Sequence, residues 1–237
     1  MKFDEWPPAH LNTRGIYLSE NGSLSWNRPG KYNSGSSYIS DPAKPVPYTE
    51  DVHTGRTREY MDDDQRFAAR RPDVLTFEIP IDEDLTITGP VVADLKVSIS
   101  TTDADFVVKV IDVFPESFKY DSAMKGNGQP YIMGGYQMLV RGEIMRGRFR
   151  NSFEKPEAFT PNKVETVKFT LPDVAHTFKK GHKLMIQIQS SWFPLADRNP
   201  QKFVDIYKAD EKDFIKSEIK IHHDAANASQ IILPILN

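Results

Sequence analysis

Alternation with a period of two runs through most of this sequence, and no other feature constrains its fold as strongly. In Val92–Ser100 the residues Ala93, Leu95, Val97 and Ile99 alternate with Asp94, Lys96, Ser98 and Ser100. Successive side chains of a strand point to opposite faces, so this spacing predicts one apolar face against a core and one polar face outward. Similar runs predict strands over Val74–Ile79, Val91–Ser100, Phe106–Phe114, Gln137–Arg146, Val164–Leu171, Lys183–Ser190, Ser217–His222 and Ser229–Leu233. Ahead of them, Gly15–Trp26 reads as a hairpin turning at Glu20-Asn21-Gly22, because Asn-Gly supplies the positive φ that tight hairpin turns require. Only two short helices are predicted, Asp62–Ala69 and Pro200–Ala209. In the second, Asn199 would cap and Pro200 would take the first helical position. Eight or more antiparallel strands with so little helix mean an all-β fold, a jelly-roll β-sandwich.

The chain has 237 residues, no Cys and a net charge of −3. One β unit of roughly 200–250 residues can absorb that length. The near balance of charge excludes the basic excess that nucleic-acid binding needs. Without Cys there is no disulfide, no thiolate chemistry and no Cys-based zinc site. No stretch approaches the roughly 18 apolar residues of a bilayer span, and the start of the chain carries no apolar signal core. Neither a nucleic acid nor a membrane is therefore an expected partner. The compartment stays open, since an export signal would lie upstream.

Residues 1–14, with Trp6-Pro7-Pro8, read as a linker from a preceding domain, and residues 15–237 as one domain. Inside it, residues 27–73 are rich in Pro, Gly, Ser and charge and read as a long irregular region. Loops of that length are usually functional or disordered. Tyr38, Tyr48, Tyr60 and Phe67 favour an ordered loop that packs on something.

Near the end, Lys183–Ser190 alternates Leu184, Ile186 and Ile188 with Met185, Gln187 and Gln189. Ser191-Trp192-Phe193-Pro194 breaks this strand, because proline supplies no ladder donor. Asp197-Arg198-Asn199-Pro200 follows as a charged loop. This Gly-His-Lys strand with Ser-Ser-Trp-Phe-Pro and Asp-Arg-Asn-Pro resembles the C-terminal β-domain of a serine hydrolase family. That family comprises X-Pro dipeptidyl-peptidases, cocaine esterases and α-amino acid ester hydrolases. Asp41-Pro42-Ala43 with Pro45-Val46-Pro47, Arg71-Pro72-Asp73-Val74-Leu75, Thr88-Gly89-Pro90, Asp103-Ala104-Asp105-Phe106, Ile111–Pro115 and Ile231–Leu236 match it in the same order. Met145–Glu154 and Ser190–Gln201 are most similar to the α-amino acid ester hydrolase and glutaryl-cephalosporin acylase branch. The resemblance implies a jelly roll that closes the chain after an α/β-hydrolase domain. It also implies that the catalytic Ser, Asp and His belong to that earlier domain. The chain is thus expected to be a non-catalytic domain whose partner is an N-terminal α/β-hydrolase domain of the same parent. Assembly into homo-oligomers stays open.

The residues themselves agree that catalysis is not local. A nucleophile elbow needs Gly-x-Ser-x-Gly on a strand-to-helix turn. The nearest strings, Gly22-Ser23-Leu24-Ser25 and Gly35-Ser36-Ser37, lack the second glycine. Ser190 and Ser191 lie near His182 in sequence but read as polar strand-end residues. The six histidines, His10, His53, His176, His182, His222 and His223, show no metal-ligand spacing. His182, after a turn glycine, reads as a structural hydrogen-bond partner. Asp62-Asp63-Asp64 and Asp103-x-Asp105 could hold Ca²⁺, but the first also suits a helix N-terminus and the second could equally bond Arg or backbone groups. No cofactor is expected. Arg146, Arg148 and Arg150 would share one face of an extended chain, either docking acidic groups of the missing domain or pairing with the chain's own acids.

By resemblance, the loop after Asp41–Pro47 passes close to the catalytic cleft, which makes Tyr48, Arg58, Tyr60 and Met61 substrate-proximal candidates. An interdomain face should appear as an exposed apolar patch. Trp6, Trp26, Trp192 and Phe193 are its candidates. The alternative is a free-standing carbohydrate- or ligand-binding module of the galactose-binding-like type. Tyr131, Tyr136 and Gln137 would then be the aromatic and amide set a sugar needs.

Overall fold

Eleven strands are found among the described residues: β1 (Leu11–Ser19), β2 (Ser23–Ser25), β3 (Gly35–Ser40), β4 (Leu75–Pro80), β5 (Leu85–Ile99), β6 (Asp105–Val113), β7 (Gln137–Arg146), β8 (Glu165–Phe178), β9 (Lys183–Gln189), β10 (Ser217–His222) and β11 (Gln230–Leu236). The computed structural model describes residues 2–9, 11–55, 57–118 and 133–236. One layer holds β3-β10-β5 and β11-β1 with β8 along the far edge of β5, and the other holds β4-β9-β6-β7. The layers join through β2, which pairs with β1 and touches β4 by a single parallel bridge, Ser23↔Glu78. The result is a jelly-roll sandwich.

The alternation read in the sequence is what builds it. Ala93, Leu95, Val97 and Ile99 are completely buried and pack with Phe106, Val108 and Val110 of β6 and Leu184, Ile186 and Ile188 of β9. Burying each large side chain contributes roughly 1.5–3 kcal/mol. The Asn-Gly turn forms as expected, with Asn21 at φ 57° and Gly22 at φ 66° joining β1 to β2. β5 is longer than predicted. Gly89 (φ 111°) sits at a register shift, and the strand continues back to Leu85, paired with β8 and β11.

Several expectations meet a different outcome. β1 starts at Leu11, inside the stretch read as a linker, because it pairs with β11 from Leu11↔Leu236 onward; its polar start, Asn12-Thr13-Arg14, gives no strand signal alone. The region 27–73 contains β3, held by β10 through Tyr38↔Ile219, a strand whose small polar residues hide its alternation. The helix expected over Asp62–Ala69 shrinks to one turn, Arg66–Ala69, after a 3₁₀ turn at Glu59–Met61. The helix expected over Pro200–Ala209 does not form, apart from a 3₁₀ turn at Ile206–Lys208. Asn199 Oδ1 accepts the Gln201 N–H at 2.7 Å, as a cap would, but its Nδ2 donates to Asp103 and Asp105, and Gln201 takes a left-handed φ of 61° that a helix cannot accommodate.

The arginine trio departs from one strand face as well. Arg146 ends β7, whereas Gly147–Phe149 turn in a 3₁₀ helix and carry Arg148 and Arg150 away. All three pair with acids of the chain: Arg146 with Asp105 and Asp197, Arg148 with Asp103, and Arg150 with Glu165. Asp103 and Asp105, weighed as calcium ligands, are thus arginine partners. Burial pushes the Asp105 carboxyl up, to about 6, against the pull of Arg146 and Asn199.

Candidate functional site

β6 is buried on both faces, so something besides the second sheet must cover its outer side. Val107, Lys109, Ile111 and Val113 point outward there, beside Met185, Gln187 and Gln189 of β9. The cover is residues 46–74, which cross this face as a strap. Its entry is pinned to the segment after β9. The Val46 N–H donates to the Ser191 hydroxyl (2.8 Å), the Phe193 N–H to the Val46 carbonyl (2.9 Å), and the Tyr48 N–H to the Phe193 carbonyl (2.8 Å). Pro194, with no N–H, then stops this short bridge, beyond the end of β9 at Gln189.

Five of the residues singled out in the sequence come together on this strap and its support. The Tyr48 and Tyr60 rings pack tilted at 5.7 Å, and Tyr60 meets Trp192 edge-on at 5.8 Å. Tyr48 (4% exposed) and Trp192 (5%) form the floor, while Met61 (55%) and Phe193 (38%) project above it. The Tyr48 hydroxyl accepts the Thr57 N–H, which holds the loop tip, and Arg58 lies exposed just before the Glu59–Met61 turn. Gly142 is part of the floor: a Cβ there would meet the Trp192 ring at 2.9 Å.

Around this cluster the surface is grooved. A depression of about 550 Å³ is lined by Tyr60, Met61, Leu139, Ile144, Trp192 and Leu195. It shares Leu195 with one of about 490 Å³ beneath Val52 and His53, and Ile144 with one of about 860 Å³ that runs past Phe149 and Phe153. Val52 is fully exposed and Phe153 is 78% exposed, so the rim carries apolar side chains that stand uncovered among the described residues.

The other two tryptophans lie elsewhere. Trp6 donates its indole N–H to Asp173 (2.6 Å), and Trp26 packs on the main core under the Arg14 guanidinium (4.4 Å). Of the sugar-site candidates, Tyr136 donates its hydroxyl to the Asp62 carbonyl and Gln137 opens β7, while Tyr131 lies outside the described residues.

The polar candidates resolve as structural pairs. His182 Nδ1 and His176 Nε2 hold the two oxygens of buried Asp112 at 2.8 and 2.9 Å. Ser190 bonds the Tyr38 hydroxyl at 2.6 Å, and Ser191 holds the strap. Two histidines meet hydroxyls: His222 Nε2 meets Ser98 at 2.9 Å, and His223 has Ser34 on Nδ1 and Ser36 on Nε2, each at 3.0 Å. Ser36 sits inside β3 rather than on an exposed turn, so this contact lacks the geometry of a nucleophile. Burial lowers the His222 and His223 pKa values. Among the described residues no three His, Asp or Glu side chains converge as metal ligands, and His10 lies outside them.

Two functional-looking groups escaped sequence reasoning. Lys109 is completely buried in β6, and Gln65, also completely buried, is the strap residue that meets it. The signal was available: one lysine stands inside Phe106–Phe114, where every neighbour on its face is apolar.

Comparison with known proteins agrees with this architecture. The profile of the X-Pro dipeptidyl-peptidase C-terminal non-catalytic domain matches residues 1–232. The cocaine esterase of Rhodococcus sp. (strain MB1 Bresler) is 29% identical over 241 residues, covering 98% of this chain and 39% of that protein. An aminopeptidase from a marine sediment Thaumarchaeota archaeon superposes with a TM-score of 0.89 at 38% identity, over 100% of this chain and 38% of its own. An α-amino acid ester hydrolase gives 0.86 at 40% identity, over 94% of this chain and 36% of its own. The chain therefore spans less than two fifths of the length of these relatives. It belongs to the family of X-Pro dipeptidyl-peptidase C-terminal non-catalytic domains.

Proposed function

We propose that this domain braces an N-terminal α/β-hydrolase domain of a serine hydrolase and walls its substrate cleft with the strap 48–61. The observation that carries this reading is the pairing of a rigid floor with an apolar rim. Tyr48, Tyr60 and Trp192 lock one another in place, and Val52, Met61, Phe153 and Phe193 stand exposed above them. Scattered single apolar residues are normal on a surface, but a grooved run of them marks a contact site. In this reading Phe193 and Phe153 meet the catalytic domain, and Arg58, Tyr60 and Met61 face the substrate. Tyr48 and Trp192 act beneath them as support. The chain brings no nucleophile, so its part in the reaction is shape and the exclusion of water. The expected substrates are α-amino esters, β-lactam acyl groups or X-Pro peptides.

The test is kinetic, in the full-length protein. Met61→Ala is expected to raise KM for an apolar acyl substrate roughly 3–10-fold with kcat little changed, since it removes uniform binding. Phe153→Ser is expected to weaken domain docking and lower the unfolding temperature of the catalytic domain. Unchanged KM for every substrate tried with Met61→Ala would remove the strap from the cleft. Unchanged stability with Phe153→Ser would remove the groove from the interface.

A further inference from the structure

Lys109 carries an amino group sealed between β6 and the strap, with no carboxylate paired to it among the described residues. Its Nζ donates to Gln65 Oε1 at 2.8 Å, its one hydrogen bond among the described residues, although an ammonium has three N–H groups. The rings of Trp192 and Phe67 lie 5.0 and 5.9 Å from Nζ and shut out water. Gln65 is also the hub of the strap. Its N–H reaches the Gln137 carbonyl (3.0 Å), its Nε2 the Asp63 carbonyl (2.9 Å), and its own carbonyl takes the Gln187 amide (3.3 Å). Among the described residues seven buried side-chain polar atoms lack a partner, and five belong to the elements around this lysine. They are Gln137 Oε1, Arg141 Nε, Gln187 Oε1, Gln189 Oε1 and Trp192 Nε1. This concentration makes the closed strap the least satisfied buried region among the described residues.

We propose that Lys109 is a proton-operated latch for the strap: the neutral amine lets Gln65 and Phe67 close over β6, and the ammonium drives the strap open. Burial alone lowers the Lys109 pKa from 10.5 to about 7, because no charged neighbour offsets the lost hydration. With the strap open the amine regains water and an ordinary pKa. The open state then binds more protons, so closure strengthens as pH rises from about 7 toward 10.5 and is weakest below that window.

The other charged groups of the packed elements do not mimic this. On the strap, burial raises the Asp63 carboxyl, so it responds in the acid range with the opposite sign. Asp64 pairs with Arg66, whose pKa is raised. Glu59 pairs with His53, and Asp62 offers its carbonyl to Tyr136, whose hydroxyl is pushed up to about 12, above the window. On β7, Arg141 and Glu143 pair in register with Val110 and Val108 rather than with Lys109, and Glu143 accepts the Ile144 N–H. On β6, Asp112 points to the opposite face, while Asp105 shares the Lys109 face, is bonded to Arg146 and Asn199, and has its carboxyl raised by burial, a response of the opposite sign. On β9, Lys183 shares that face and pairs with Glu78, and Gln187 and Gln189 are uncharged. Asp197, in the loop after Trp192, is held by Arg146. The latch does not depend on what the strap touches, and it stands whether or not the strap walls a cleft.

Hydrogen exchange with mass spectrometry in the protein carrying this chain tests it, comparing strap residues 59–74 with core residues 91–99. After correction for intrinsic exchange, the strap opening constant should fall about 50-fold between about pH 7 and about pH 9, as the two pKa values require. In Lys109→Met and Lys109→Gln the same interval should change it less than about 3-fold. A flat profile in the parent overturns the proposal, even if neither variant folds. So does a 50-fold change that survives in either variant, or a strap that exchanges in step with the core.

Discussion

Replacing Asp103 by Ala is the sharpest test of the acidic pair at the start of β6. Asp103 is completely buried and collects four donors: Arg148 Nε at 2.7 Å, the other guanidinium arm at 2.6 Å, the Arg148 backbone N–H at 3.1 Å and Asn199 Nδ2 at 3.2 Å. The substitution leaves Arg148, whose side chain is 11% exposed, without its counter-charge, and strands one backbone N–H. Arg148 keeps only the Val204 and Lys202 carbonyls and the face of Phe203 at 4.9 Å. Breaking a buried pair from one side costs about 3–5 kcal/mol, because the surviving charge is uncompensated. Part is recovered, since water can reach the guanidinium through its exposed edge, so we expect a loss of about 3 kcal/mol. For a chain of this size that lowers Tm by roughly 6–12 °C. Urea titration and thermal scanning of parent, Asp103→Ala, Arg148→Met and the double variant would measure it. The double variant should be less destabilised than the sum of the singles, because neither charge is then left alone. A loss below about 1 kcal/mol for Asp103→Ala would refute the argument, since a buried pair cannot be removed so cheaply. A rise in Tm with millimolar calcium would refute it differently, by showing that the two aspartates prefer a metal to their arginines.

Two further substitutions probe the backbone that carries the site. Gly142→Ala pushes a methyl group to 2.9 Å from the Trp192 ring and 3.4 Å from Lys109 Cγ, so it should cost about 1–3 kcal/mol and blue- or red-shift Trp192 emission; an unchanged spectrum and stability would mean that the floor is soft. Gly22→Ala places a Cβ at 2.8 Å from the Thr76 carbonyl on a residue with φ +66°, and a loss of about 1–2 kcal/mol by denaturant titration is expected. No loss there would show that the turn relaxes without disturbing β4.

The sequence by itself determined the class of fold and the places where strands lie. A two-residue period is a local property: Ala93, Leu95, Val97 and Ile99 announce a buried face whatever lies across from them, and Asn21-Gly22 announces its turn through φ alone. The same holds for Tyr48, Tyr60, Trp192 and Phe193 as residues to watch, though their assembly over 145 positions of chain was not readable. The tertiary structure decided the rest. Leu11–Arg14 became a strand because β11 offered an edge, not through its own propensity. Pro200–Ala209 failed as a helix although Asn199 Oδ1 accepts the Gln201 N–H as a cap would, because Asn199 Nδ2 ties the segment to Asp103 and Asp105 and Gln201 turns to a left-handed φ. Arg146, Arg148 and Arg150 were separated by a 3₁₀ turn that has no periodic signature. Lys109 shows the division most plainly. Its place in an apolar strand is visible in the sequence, but its protonation is set by what covers it, and the cover comes from Gln65, Phe67 and Trp192, residues far away in the chain. Strand periodicity is encoded among near neighbours, whereas desolvation and charge pairing depend on distances that only the closed sandwich and its strap create.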